Sequence, residues 1–307
     1  MPASPNHTMT TAEWGLLLFL SVIWGGSFFF NAVALTSIDA YTLVAARVLL
    51  GAIFLYAVLR ASDGRLPTSR EAWTAFAVMG TLNNVLPFTL IAWAQGTGVP
   101  SGLASILNAA TPIFTVVVAH YWTDDERMTP LRIGGVIVGF AGVVVMIGGD
   151  ALSHAGEHLV PELAIIAACV CYAFSAIYAR RFSRMGLAPL ATAAGQITAS
   201  AIIMTVLVVL FDAPWRMPPP SLASIGAILG IAALSTCLAY VVYYRILATA
   251  GSVNLMLVTL LIPVTAVLLG AILLGERLAP NHFAGMAAIA AGLAAIDGRV
   301  FRRLARG

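Results

Sequence analysis

Apolar residues fall along this chain in long unbroken runs, and short intervening stretches hold most of its Arg, Asp, Glu and Pro. Ten runs stand out, at approximately 13–36, 40–59, 72–95, 101–121, 130–149, 162–183, 187–210, 220–246, 252–274 and 280–298. A bilayer core takes roughly 20 apolar residues per helix, and fewer where neighbouring helices shield the backbone. The runs show no period-two alternation, so they predict helices rather than the strands of a barrel. The connections are short and leave no room for a soluble domain. The first run is too long for a cleaved signal peptide, and no basic n-region with a small-residue cleavage site precedes it. The expected fold class is therefore all-α, a polytopic membrane protein of ten transmembrane helices.

Composition agrees with this pattern and narrows the partners. Of 307 residues, 60% are hydrophobic and only 9% charged, against about a quarter charged in soluble domains. Such a chain cannot cover its surface with charge, so lipid must solvate most of it. The net charge of +3 is small and the Arg residues are scattered, so no nucleic-acid partner is expected. Cys169, Cys171 and Cys237 sit in apolar runs without metal-ligand or disulfide spacing and read as packing residues.

The Arg residues also set an orientation. With a cytoplasmic N-terminus, the inner connections and the C-terminal tail carry Arg60, Arg65, Arg70, Arg127, Arg132, Arg180, Arg181, Arg184, Arg245, Arg299, Arg302, Arg303 and Arg306. The outer connections carry only Arg216 and Arg277, and Arg47 lies within the second run. Both termini are therefore expected in the cytoplasm, with the protein a multi-pass component of the cell (inner) membrane.

The chain repeats itself. ERMTPLRIGGVIVGFAGVVVMIG, from Glu126, returns as ERLAPNHFAGMAAIAAGLAAIDG, from Glu276, at an offset of 150 residues. Pro130 matches Pro280, Gly135 matches Gly285, and Ala141-Gly142 matches Ala291-Gly292. Weaker echoes pair Trp24 and Ser27 with Tyr172 and Ser175, and Pro112 with Pro263. The repeats are drawn at 13–149, holding helices 1–5, and 162–298, holding helices 6–10. Five is odd, so the second repeat enters the membrane from the opposite side. Two inverted halves give two nearly equivalent packings, one open to each side, which is the physical basis of alternating access.

The string WGGSFFF at 24–30, AARVLL around Arg47, LNAATPIF at 107–114 and the paired ER-plus-AG tails resemble the EamA family of the drug/metabolite transporter superfamily. The resemblance runs from about residue 13 to 298 and occurs in both halves; the order, spacing and repetition of the motifs carry it. It implies ten helices in two inverted units and a carrier that exports small metabolites. The branch it looks most like includes exporters of aromatic and other neutral amino acids. Another solute class (drug-like, nucleotide or sugar-phosphate) is the alternative cargo, and a membrane-embedded enzyme or sensor the remote one.

The candidate site residues are few because intramembrane polarity is scarce. No Asp or Glu falls in the middle of a predicted helix, so the chain lacks the carboxylate that proton- or sodium-coupled carriers keep at membrane depth. It reads as a facilitator, or as a carrier coupled in a less visible way. Arg47 is the one clear intramembrane charge; it pairs with a substrate carboxylate, snorkels outward, or ties helix 2 to neighbouring carbonyls. Its counterpart in the second half is the uncharged Gln196.

The amides and hydroxyls Ser27 and Asn31, Asn83 and Asn84, Asn108 and Thr111, Ser175, and Asn254 and Thr259 should face a hydrated centre, since lipid cannot satisfy them. Trp24 and Phe28 are one turn apart, Tyr172 is the counterpart of Trp24, and Tyr240, Tyr243 and Tyr244 form a stripe. Core packing competes with pocket lining for each aromatic. Trp14, Trp73, Trp122 and Trp215, at segment ends, fit the interfacial belt.

Helices 5 and 10 carry glycine seams with almost no polar groups. They read as supports outside the cavity, with a homodimer contact as the alternative. No nucleophile–base pair, metal-ligand cluster or phosphate-cradling loop is present in the sequence, so neither enzyme activity nor a cofactor is expected.

Overall fold

Polar side chains at the starts of several runs nucleate the helices. Thr10 and Glu13 form a capping box, with Thr10 N donating to Glu13 Oε2 at 2.6 Å and Glu13 N donating to Thr10 Oγ1 at 3.3 Å. In the second half, at an offset of 149, Glu162 accepts from Gly156 N at 2.8 Å. Asp39, Ser69 and Ser221 cap later helices in the same way, accepting from Thr42 N, Ala72 N and Ser224 N. The acidic residues at these starts favour the positive ends of helix dipoles.

The computed structural model describes residues 9–123, 129–147, 156–211, 215, 218–274 and 280–297. Among them run α1 (Thr11–Ala34), α2 (Ala40–Ala61), α3 (Arg70–Gly96), α4 (Ser101–Trp122), α5 (Pro130–Ile147), α6 (Leu159–Arg184), α7 (Pro189–Phe211), α8 (Leu222–Ala250), α9 (Ser252–Leu274) and α10 (Pro280–Asp297). Each falls within a few residues of an expected run. Seven are long and apolar enough to cross a membrane, while α5, α9 and α10 are shorter apolar helices. Glu126-Arg127, Glu276-Arg277, Arg216 and the four Arg beyond residue 298 lie outside the described residues.

The duplication is visible in backbone irregularities as well as in residues. A π-helical turn interrupts α3 at Thr81–Val85, and another interrupts α8 at Ile231–Leu238, starting 150 residues later. The fourth helix of each half is broken too: α4 at Ala109-Ala110, before Pro112, and α9 at Leu257. π turns and breaks of this kind gather at functional sites because they rotate side chains and free backbone groups.

Packing exchanges partners between the halves. α1 lies on α8 and α9, and α6 lies on α3 and α4, so the first helix of each half rests on the third and fourth of the other. Likewise α2 packs on α7 and α8, and α7 on α2 and α3.

The equivalent helices α5 and α10 pack on each other. A Cβ on Gly135 would lie 2.7 Å from the Gly292 carbonyl oxygen, and one on Gly142 would lie 2.8 Å from that of Gly285. As residue number rises along α5 it falls along α10, so the pair is antiparallel and the halves are inverted. The glycine seams, expected to mark supports outside the cavity, meet each other inside the chain at these four positions. The close approach they allow is the source of its packing energy in lipid, where no hydrophobic force separates helix from solvent.

Candidate functional site

The exchanged packing leaves a cavity of about 630 Å³, a volume that includes its opening, between α1, α2, α3, α4, α6, α8 and α9. Neither α5 nor α10 reaches it. Of the predicted site residues, Trp24, Ser27, Phe28, Asn31, Arg47, Asn83, Asn108, Tyr172, Tyr240 and Thr259 line it.

Trp24 forms the α1 wall. Its Nε1 donates to the Ser235 carbonyl at 3.1 Å, and Ser235 Oγ donates back to the Ile23 carbonyl at 2.9 Å. The indole lies edge-on to Tyr240, with ring centroids 6.3 Å apart, and tilted against Tyr243 at 6.0 Å. The α8 π turn supplies both the carbonyl and the ring register. Asn31 is held one helical turn beyond Ser27 by donating Nδ2 to Gln95 Oε1 at 3.0 Å.

Arg47 reaches the same π turn from α2. Its Nε donates to Thr236 Oγ1 at 3.0 Å and its Nη2 donates to the Ser235 carbonyl at 3.4 Å. The guanidinium carbon stands 3.7 Å from the centre of the Phe88 ring, a cation–π arrangement that is strongest when desolvated. One turn along α2, a Cβ on Gly51 would meet Thr236 Cγ2 at 2.7 Å, so only glycine lets the π turn come this near. Arg47 is 5% exposed and has no acidic partner among the described residues. Burial of an unpaired charge costs several kcal/mol even after relaxation, and two hydrogen bonds with one ring offset only part of it.

A neutral network stands behind the opposite wall. Asn83 and Asn84, on the α3 π turn, donate to the Tyr240 hydroxyl at 3.2 and 2.6 Å. Ser175 donates to Asn83 Oδ1 at 3.0 Å. Asn84 Oδ1 accepts from Gln196 and from Ser200, and Gln196 Oε1 accepts from Tyr244. Arg47 and Gln196 are therefore counterparts in action: each reaches from the second helix of its half to the π turn of the other half. Asn84 and Ser175 do not line the cavity but bond residues that do, and Gln196 and Tyr244 stand behind Asn84.

Two predicted residues take local roles instead. Thr111 donates to the Asn108 carbonyl at 2.7 Å, and Asn254 donates to the Ala250 carbonyl at 2.9 Å. Thr111 thus ties up a backbone carbonyl beside the break in α4 and Asn254 one at the end of α8, and neither is among the lining residues.

Phe88, Ile91, Tyr243, Met256 and Ile262 complete the lining without having been predicted as site residues. Tyr243 was visible in the tyrosine stripe. The apolar four gave no polar signal, although Met256 directly precedes the break in α9. Ser235 and Thr236, polar neighbours in an otherwise apolar run, were the readable sign of the π turn.

Among the described residues, three buried side-chain polar atoms lack a hydrogen-bond partner: Ser27 Oγ, Asn108 Oδ1 and the Tyr243 hydroxyl. All three residues line the cavity. Buried polar groups are normally paired, so three orphans in the lining of one cavity that also holds Arg47 set it apart from the rest of the described core.

An all-helical membrane protein built from two inverted repeats around a central polar and aromatic cavity is a solute transporter by class. The chain matches the EamA-like transporter family over residues 13–148 and 159–296, and it belongs to that family. It is similar to the uncharacterized inner membrane transporter YedA of Escherichia coli (strain K12), 25% identical over 276 residues that cover 90% of this chain and 87% of that one. An S-adenosylmethionine/S-adenosylhomocysteine transporter of Chlamydia muridarum is 26% identical over 285 residues, covering 86% and 85% of the two chains. A solved crystal structure shares the fold with a TM-score of 0.75 at 18% identity, covering 96% of this chain and all of that one.

Proposed function

We propose that this carrier moves a small zwitterionic solute, in the first place a neutral or aromatic amino acid, out of the cell by alternating access. The observation that carries the reading is Arg47, buried, without an acidic partner among the described residues, and lining a cavity rich in aromatic rings. A guanidinium binds a carboxylate in a planar two-point grip. Asn108 Oδ1, an unpartnered acceptor on α4, is suited to a solute ammonium. Trp24, Tyr172, Tyr240 and Phe88 offer ring faces and edges to an apolar side chain. The substrates in the name of the Chlamydia relative also carry an amino-acid end, which supports a carboxylate-and-ammonium recognition scheme.

In this reading all ten helices cross the inner membrane with both termini in the cytoplasm. The cavity is exposed to each side in turn by rocking of α1, α2, α6 and α7 against the π-turned and broken helices of the opposite half. Among the described residues no carboxylate lines the cavity, which supports a facilitator running down the solute gradient, or a carrier coupled without a carboxylate there.

The test is a solute panel in proteoliposomes. Neutral amino acids should move without chemical change and should compete with one another. Movement of sugar phosphates or nucleotides alone would overturn the amino-acid reading.

A further inference from the structure

The cavity presents a full positive charge that no group of the described chain balances. Arg47 spends Nε and Nη2 on Thr236 and Ser235 and makes no hydrogen bond through Nη1 among the described residues. None of the residues lining the cavity is acidic. Ser27 and Tyr243, whose hydroxyls have no hydrogen-bond partner among the described residues, belong to the same lining. One cation and two unpartnered hydroxyls in a single lining have the chemistry of an anion site. A bare guanidinium in low dielectric is costly, so the cavity is electrically complete only when something negative is present. The unit charge of Arg47 and the absence of a second cation in the lining restrict that occupant to a single negative charge.

We infer that Arg47, with the Ser27 and Tyr243 hydroxyls, forms a site for a compact monovalent anion, filled by free inorganic anion, chloride in the first place, whenever no solute carboxylate occupies it. The two sources share one chemistry and one place, so each excludes the other. Chloride then balances Arg47 while the empty carrier reorients, and it leaves as a carboxylate enters. The mutual exclusion rests on the proposed reading of the cavity as the solute site; the anion site itself does not.

The experiment follows thermal unfolding of the purified full-length protein, without solute, as sodium chloride replaces sodium isethionate, a bulkier anion without a carboxylate, at constant ionic strength. A ligand that binds only the folded state raises the melting temperature as its concentration passes the dissociation constant. The expected result is a saturable rise of a few degrees, reproduced by bromide, preserved in Arg47→Lys and absent in Arg47→Gln. Because Arg47→Gln can fail to fold, bromide-soaked crystals of the unaltered protein supply an independent measurement, with an anomalous peak expected beside Arg47. Identical melting in chloride and isethionate, or no bromide peak at Arg47, would overturn the site. A saturating neutral amino acid should abolish the chloride effect, and an undiminished effect would overturn the mutual exclusion. Since the first two readings contain no solute, they stand or fall independently of the cargo assay.

Discussion

The Trp24 indole N–H donates to the Ser235 carbonyl at 3.1 Å, joining α1 of the first half to the π turn of α8 in the second. The bond fixes an aromatic wall of the cavity across the interface between the inverted halves. Trp24→Ala removes ring contacts and the bond together, a loss on the order of 1–3 kcal/mol of binding or packing. Transport per folded molecule should fall several-fold. If Trp24 only packs, folded yield and melting temperature should drop while transport per folded molecule stays normal, so both are measured on one preparation.

Much of this site was legible in the sequence, and the remainder hid for identifiable reasons. Trp24 and Tyr172 stood out because the repeat pairs them and because neither lies at a helix end. Arg47 stood out as the one charge in an apolar run. The sequence did not separate Asn83, which lines the cavity, from Asn84, which supports the wall behind it, because a π turn shifts helical register without changing composition. Phe88, Ile91, Met256 and Ile262 look like any lipid-facing residue until packing exchanges α1 and α6 between halves. The antiparallel contact of α5 with α10 was hidden differently: the glycines were evident, and their partner was not.

That contact gives a stability prediction. A Cβ on Gly285 would lie 2.3 Å from Met146 Cβ and 2.5 Å from the Gly142 carbonyl oxygen, with no flexible group to yield. Gly285→Ala should destabilise the protein by about 1–3 kcal/mol, read as a lower melting temperature in detergent. Gly134→Ala is the control, since nothing lies within 4 Å of its added carbon; it should melt as the unaltered protein does.

The neutral network predicts a split between stability and recognition. Tyr244→Phe leaves the Gln196 Oε1 acceptor without its hydroxyl donor in a buried place. Stranding such a group costs about 1–3 kcal/mol, so the melting temperature should fall. Tyr244 does not line the cavity, so the apparent affinity for solute should change far less than in Arg47→Gln. Equal losses of affinity in both variants would place Tyr244 in the site.

Topology is tested at two positions. A reporter fused after Gly307 should report the cytoplasm. A cysteine replacing the exposed Thr97, between α3 and α4, should react with an impermeant thiol reagent added from outside. Finding both on one side would break the proposed crossing pattern.

The central claim, that Arg47 grips a solute carboxylate, is tested most directly by competition in proteoliposomes. Uptake of a labelled neutral amino acid is measured against unlabelled leucine or phenylalanine and against the corresponding amides, which lack the carboxylate. The account predicts that the acids compete and the amides do not, with the discrimination lost in Arg47→Gln. Amides that compete as well as the acids, in a protein that transports, would contradict it.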